Sequence, residues 1–173
     1  AKNVPSNTTL IDSFSVKTYT GDGASSKSIT GLGFQPDFVW LKSRSSGSIT
    51  HTLFDTLRGP GNEILSSANS AESYGNNRLT SFDSDGFSLG DSGGQNQNAA
   101  TFVAWAWKAG NQWQSNVDGG ITSLVNANTA NGFSIVKYTA TGTTATVGHG
   151  LSSAPEFIMA KVTNQAYDWL VYH

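Results

Sequence analysis

Two stretches of this chain are versions of one another, and the duplication restricts its fold more than any other feature. "FSVKTYTGDGASSKSITGLGFQPDFVWLKS" from Phe14 aligns with "FSIVKYTATGTTATVGHGLSSAPEFIMAKV" from Phe133, an offset of 119 residues. Phe14, Ser15, Tyr19, Thr20, Gly23, Gly31, Leu32, Pro36, Phe38 and Lys42 recur as Phe133, Ser134, Tyr138, Thr139, Gly142, Gly150, Leu151, Pro155, Phe157 and Lys161. One residue is then lost in a loop, and "HTLFD" falls on "WLVYH". Such a period is too long for a solenoid and describes a duplication on the scale of a domain. The chain divides accordingly into an N-terminal segment (1–13), a first copy (14–110), a linker (111–132) and a partial second copy (133–173). A half-copy cannot bury its own apolar face. Either further chain completes it, the expectation favoured here, or it pairs with a neighbouring subunit.

Within the first copy the period is that of strands. "SFSVKTYTG" alternates Phe14, Val16 and Thr18 against Ser15, Lys17 and Tyr19. "DFVWLKS" is apolar on both faces and reads as a central, sandwiched strand. "SIT", "HTLFDT", "RLTSF", "GFSLG" and "TFVAWAWKA" are further strands, with Asp85-Gly86 as a tight turn. The best helical window, "NEILSSANSAESYG", is serine-rich and reads as a loop with at most one helical turn. The expected fold is an all-β antiparallel sandwich of jelly-roll type, followed by the start of a second.

Composition narrows the function. Among 173 residues there are 10 basic and 12 acidic side chains, no cysteine, and 19 glycines. Disulfides and thiolate metal sites are excluded. No basic stripe suggests a nucleic-acid partner, and no apolar run is long enough for membrane insertion as a helix. The first residues lack the layout of a signal peptide, and there is no initiator methionine, as expected of a processed or trimmed chain. Asn7-Thr8-Thr9 is a glycosylation sequon that matters only in a eukaryotic secretory setting.

"FVAWAWKAGNQW" holds three of the five tryptophans. Val103, Trp105 and Trp107 share one face of a strand, and Phe102, Ala104 and Ala106 the other. The small alanines allow a second layer to pack closely. The tryptophan face is expected in the core, because large aromatics chiefly supply buried area. The alternative is a ligand-gripping platform of Trp105 and Trp107, with Trp113 beyond the strand. Asp83, Asp85 and Asp91 could offer oxygen ligands to Ca²⁺, but Asp-Gly is first a turn signal, and no cofactor is expected. Asp55 and Arg58 are expected to form an exposed ion pair fixing a turn, and His51 a surface polar contact near Asp55. Asp55, Glu63, Asp83 and Asp85 are the carboxylates from which a glycosidase pair would be drawn. No serine-nucleophile elbow accompanies the three histidines, so an enzyme is not expected.

The string "GFQPDFVWLKSRS…H.LFDTLRG…SFDSDGFSLG…FVAWAWKAG", followed by "FSIVKYT…GHGL…DW.VYH", resembles a repeated domain of unassigned function found in bacteriophage virion proteins. The resemblance covers Phe14 to His173. It implies a lectin-type β-sandwich in tail-fibre-like or other structural proteins, and a second copy that runs on past its "VYH". It carries no catalytic residues. The implied role is assembly and host-surface recognition on the virion, as a homo-oligomer contacting other virion proteins and a host surface glycan. A capsid decoration or head fibre, and a sandwich-fold polysaccharide depolymerase, are the alternatives.

Overall fold

The computed structural model describes residues 13–173; the sequon at Asn7 and nearly all of the N-terminal segment lie outside them. In chain order the strands are β1 (Phe14–Thr20), β2 (Lys27–Thr30), β3 (Phe38–Ser43), β4 (Thr52–Asp55), β5 (Asn62–Leu65), β6 (Ser73–Tyr74), β7 (Leu79–Asp83) and β8 (Gly86–Leu89). A single helical turn, α1 (Gly93–Asn96), leads to β9 (Thr101–Trp107). Then come β10 (Gln114–Asn116), β11 (Ser123–Asn128), β12 (Phe133–Tyr138), β13 (Ile158–Ala160) and β14 (Leu170–Tyr172).

The fold is all-β, and all its strand pairs are antiparallel among the described residues. A six-stranded sheet, in the order β1-β9-β3-β4-β5-β6, packs against a three-stranded sheet, β2-β8-β7, in a sandwich-like arrangement. The strands read from the first copy are all present. The window "NEILSSANSAESYG" departs from its expected loop. It supplies β5 and β6, and the helical turn lies at Gly93–Asn96 instead. Pairing with β4 overrides the weak local signal of Asn62–Leu65.

β9 lies between β1 and β3, and its register sets the core. Phe102, Ala104 and Ala106 point inward and are fully buried, beside Val39 and Leu41 of β3. The facing sheet contributes Phe87, Leu89 and Ile29. Sheets pack face to face about 10 Å apart, so bulky rings from β8 need small partners opposite. The alanines supply that space. Tyr19 of β1 closes the layer by stacking on Phe102, with centroids 5.1 Å apart.

The turn between β7 and β8 is tight, as expected, but its corner residues are Ser84 and Asp85, with Asp83 opposite Gly86. Gly86 is needed for a different reason. A Cβ there would lie 1.9 Å from the Ile29 carbonyl oxygen of the neighbouring strand.

Residues 111–132 correct the linker reading. They form β10 and β11, and β11 continues into β12 as an antiparallel hairpin from Asn128 opposite Phe133. Buried Asp37 joins this hairpin to the first sheet. Its carboxylate accepts hydrogen bonds from the Ala109 amide (2.9 Å), the Thr56 hydroxyl (3.0 Å) and the Asn126 amide group (3.3 Å). Burial nevertheless pushes the Asp37 carboxyl above its ordinary range, because those donors offset desolvation only in part.

If close layering depends on the alanine face, Ala104→Leu should destabilise the protein by about 1–3 kcal/mol through overpacking. Val103→Leu, one residue away on the outer face, should stay within about 0.5 kcal/mol of wild type. Chemical unfolding of the two variants checks the contrast.

Candidate functional site

With the alanines inward, period-2 geometry turns the tryptophans outward. The expectation that Trp105 and Trp107 lie in the core is therefore overturned. Both are half-buried on the outer face of the six-stranded sheet. Register places them in rows: Phe14, Trp107 and Phe38 in one, Val16, Trp105 and Trp40 in the next. Phe14 and Val16, on the last strand of that sheet, are 40% and 50% exposed.

The rows form one aromatic surface. Trp107 has Phe14 at 4.9 Å and Phe38 at 5.5 Å, both tilted. Phe133 of β12 stacks on its indole at 6.1 Å and 20°. The second half of the chain thus already covers part of Trp107. Trp105 meets Trp40 edge-on at 6.2 Å. The Trp40 indole N–H donates to His51 Nδ1 at 2.8 Å. His51 is thereby placed against Trp40 rather than Asp55. Burial, helped by nearby Lys42, holds the imidazole below its ordinary pKa and keeps Nδ1 free to accept. Trp113 is half-buried between β9 and β10 and joins none of these ring contacts. The surface that remains open, Phe14, Val16 and Trp105, can stack flat apolar faces but carries no charge of its own.

The three aspartates of the proposed calcium site do not converge. Asp83 accepts from the Ser81 and Ser88 hydroxyls, both at 2.7 Å. Asp85 caps the Gly31 and Gly33 amides at 2.9 and 2.7 Å. Asp91 accepts from the Asn77 side chain at 2.7 Å. No group of three or more ligating side chains able to hold a metal occurs among the described residues. Each aspartate serves its own loop, which is how Asp commonly acts in turns.

Asp55 and Glu63 are likewise tied into the fold. Asp55 takes the Arg58 amide (2.9 Å) and Nε (2.5 Å), and the pair is buried rather than exposed. Arg58 also reaches the Leu53 and Asn62 carbonyls and Glu72, bracing the β4–β5 connection. Glu63 accepts from Gln95 Nε2 at 2.6 Å and lies 3.5 Å from Arg78. Desolvation raises its pKa despite those two partners. The Asp55–Arg58 pair was legible from its spacing, but the polar joints at Asp37 and Gln95 were invisible in the sequence. Buried polar residues show no periodicity, and their partners lie far away along the chain.

Two pH responses follow. The amides of Gly33 and Gly31 hold the Asp85 carboxyl below its ordinary 3.8. Its contribution to stability is present above that value and lost as pH falls through the depressed one. Asp85→Asn should therefore lower Tm at neutral pH, with the gap to wild type closing in acid. Glu63 is raised above its ordinary 4.5, so wild type loses stability as pH rises through the raised value. Glu63→Gln should melt at or above wild type at neutral pH and show no such advantage below pH 4.5. Melting curves taken from about pH 3 to pH 8 would show both trends.

No curated protein and no solved structure is significantly similar to the chain. Residues 11–173, nearly the whole length, match one family, and the chain belongs to it: Domain of unknown function (DUF7483).

Proposed function

We propose that the chain is a structural and adhesive module of a bacteriophage particle, in a tail fibre or similar appendage, working by assembly and host-surface recognition. The observation that carries this reading is the behaviour of the second copy. β12 falls on β1 at the repeat offset. β13 and β14 pair in the register of β3 and β4. Ile158 opposite Tyr172, Met159 opposite Val171 and Ala160 opposite Leu170 correspond to Val39 opposite Phe54, Trp40 opposite Leu53 and Leu41 opposite Thr52. The environments differ sharply. Val39, Leu53 and Phe54 are 0%, 2% and 0% exposed, whereas Ile158, Val171 and Tyr172 are 44%, 53% and 63% exposed.

An apolar β-pair left open beside a finished sandwich is an assembly surface, since large exposed apolar patches mark interaction sites. Repeated β-units suit an appendage because they are rigid and become multivalent when they oligomerise. The β2–β8 pair nested within the β1–β9 pair supports a jelly-roll, lectin-like form of the sandwich. Sparse charge and many hydroxyl and amide side chains suit contacts with other virion proteins and with neutral host glycans.

Gold-labelled antibody raised against residues 14–110, imaged on intact particles from the source culture, tests the reading. Label at the tail is expected. Label over the head would move the module to a capsid decoration or head fibre, and unlabelled particles would sink the virion assignment.

A further inference from the structure

The loop after β5 and the residues just before β14 border a shallow, solvent-open cleft of about 480 Å³, lined by Ser66, Ser67, Ala68, Asn69, Asp168 and Trp169. That is within the roughly 300–1,000 Å³ of small-molecule sites. We propose that this cavity binds a neutral saccharide. The proposal rests on the surface-recognition reading above and names its ligand class and its residues.

The cavity walls are held together. The Trp169 indole N–H donates to the Leu65 carbonyl at 2.9 Å. Lys161 Nζ donates to the Asn69 carbonyl at 3.3 Å and to the Val162 and Gln165 carbonyls at 2.9 and 3.4 Å. The Glu72 amide donates to the Thr163 carbonyl at 2.8 Å. Two loops about a hundred residues apart in sequence are thus braced at three points, so the site is formed before a ligand arrives and needs little ordering on binding.

The lining has what a sugar requires. The indole N–H is already engaged, leaving the ring of Trp169 as an apolar surface for the C–H face of a pyranose. Asp168 is exposed, and its carboxylate has no hydrogen bond or ion pair among the described residues. It can accept two hydroxyls, and such charge-assisted bonds are the strong ones. The Ser66, Ser67 and Asn69 side chains add further donors and acceptors. The Lys161 ammonium at the wall is taken up by three carbonyls, and Asp168 repels anions, so phosphorylated or acidic sugars are disfavoured. The repeat does not account for the pair either. At the shifted offset Asp168 and Trp169 fall on Thr50 and His51, so neither is inherited from the shared pattern.

The test is an NMR titration of the intact 173-residue chain with the methyl glycosides of glucose, galactose, mannose and N-acetylglucosamine. Saturable shifts are expected at the amides of Ser66 to Asn69 and at the Trp169 indole N–H, for at least one of the four. Asp168→Asn should weaken that binding by about tenfold or more. Glu156→Gln, a matched loss of one charge outside the cavity, should leave it unchanged. No saturation at those residues with any of the four sugars overturns the inference, as does an unchanged affinity in Asp168→Asn. Saturable shifts at Trp105 alone would also overturn it while leaving surface recognition standing. Unlabelled particles in the antibody experiment would remove the virion assignment without touching the pocket.

Discussion

Everything in the first unit depends on β9 presenting alanine, not tryptophan, to the second sheet. β9 pairs with strands on both sides, so its register is transmitted to β1 and β3 at once. A one-residue slip would exchange the faces. Trp105 and Trp107 would then meet Phe87 and Leu89 across a gap already filled. The alanines are thus the reason two sheets can close on one core, and the outward aromatic surface is the consequence. The site geometry and the core packing are two sides of one strand.

Polar joints finish what the apolar layers begin. Asp37 collects donors from β4's end, β9's end and β11, so the first sheet and the following hairpin share one anchor. Arg58 does the same for the β4–β5 connection. Buried charges of this kind are costly unless fully hydrogen-bonded. Their value lies in specifying which loops meet. The Asp37 joint, with Lys161 and Trp169 at the other end, gives the second half of the chain a fixed seat on the first. The cavity beside Trp169 exists because of that seat.

The same seat leaves the apolar residues of the second half in contrasting surroundings. Phe133 is half-buried by its stack on Trp107 and a tilted contact with Phe38, while apolar residues of β13 and β14 such as Ile158, Val171 and Tyr172 stay exposed. Two surfaces with different chemistry result. One, beside Trp169, is aromatic and hydroxyl-rich; the other, on β13 and β14, is apolar and sheet-like.

Much of the fold was legible because period-2 alternation is a local property. The strands β1 to β4 and β7 to β9 and the tight turn before Gly86 were readable from residue order. Alternation also sorted Trp105 and Trp107 from Ala104 and Ala106. It could not say which face was inside, since that depends on the volume offered by a strand fifteen or more residues away. β5, β10 and β11 were missed because weak local sequence becomes strand only when a neighbour supplies hydrogen bonds. Asp168 and Trp169 acquired meaning only once Ser66 and Asn69 were folded against them. Sequence by itself determined the all-β class of the structure, because alternation is written in spacing. Tertiary structure decided which faces are buried and which distant loops meet, because both arise from contacts between residues far apart in the chain.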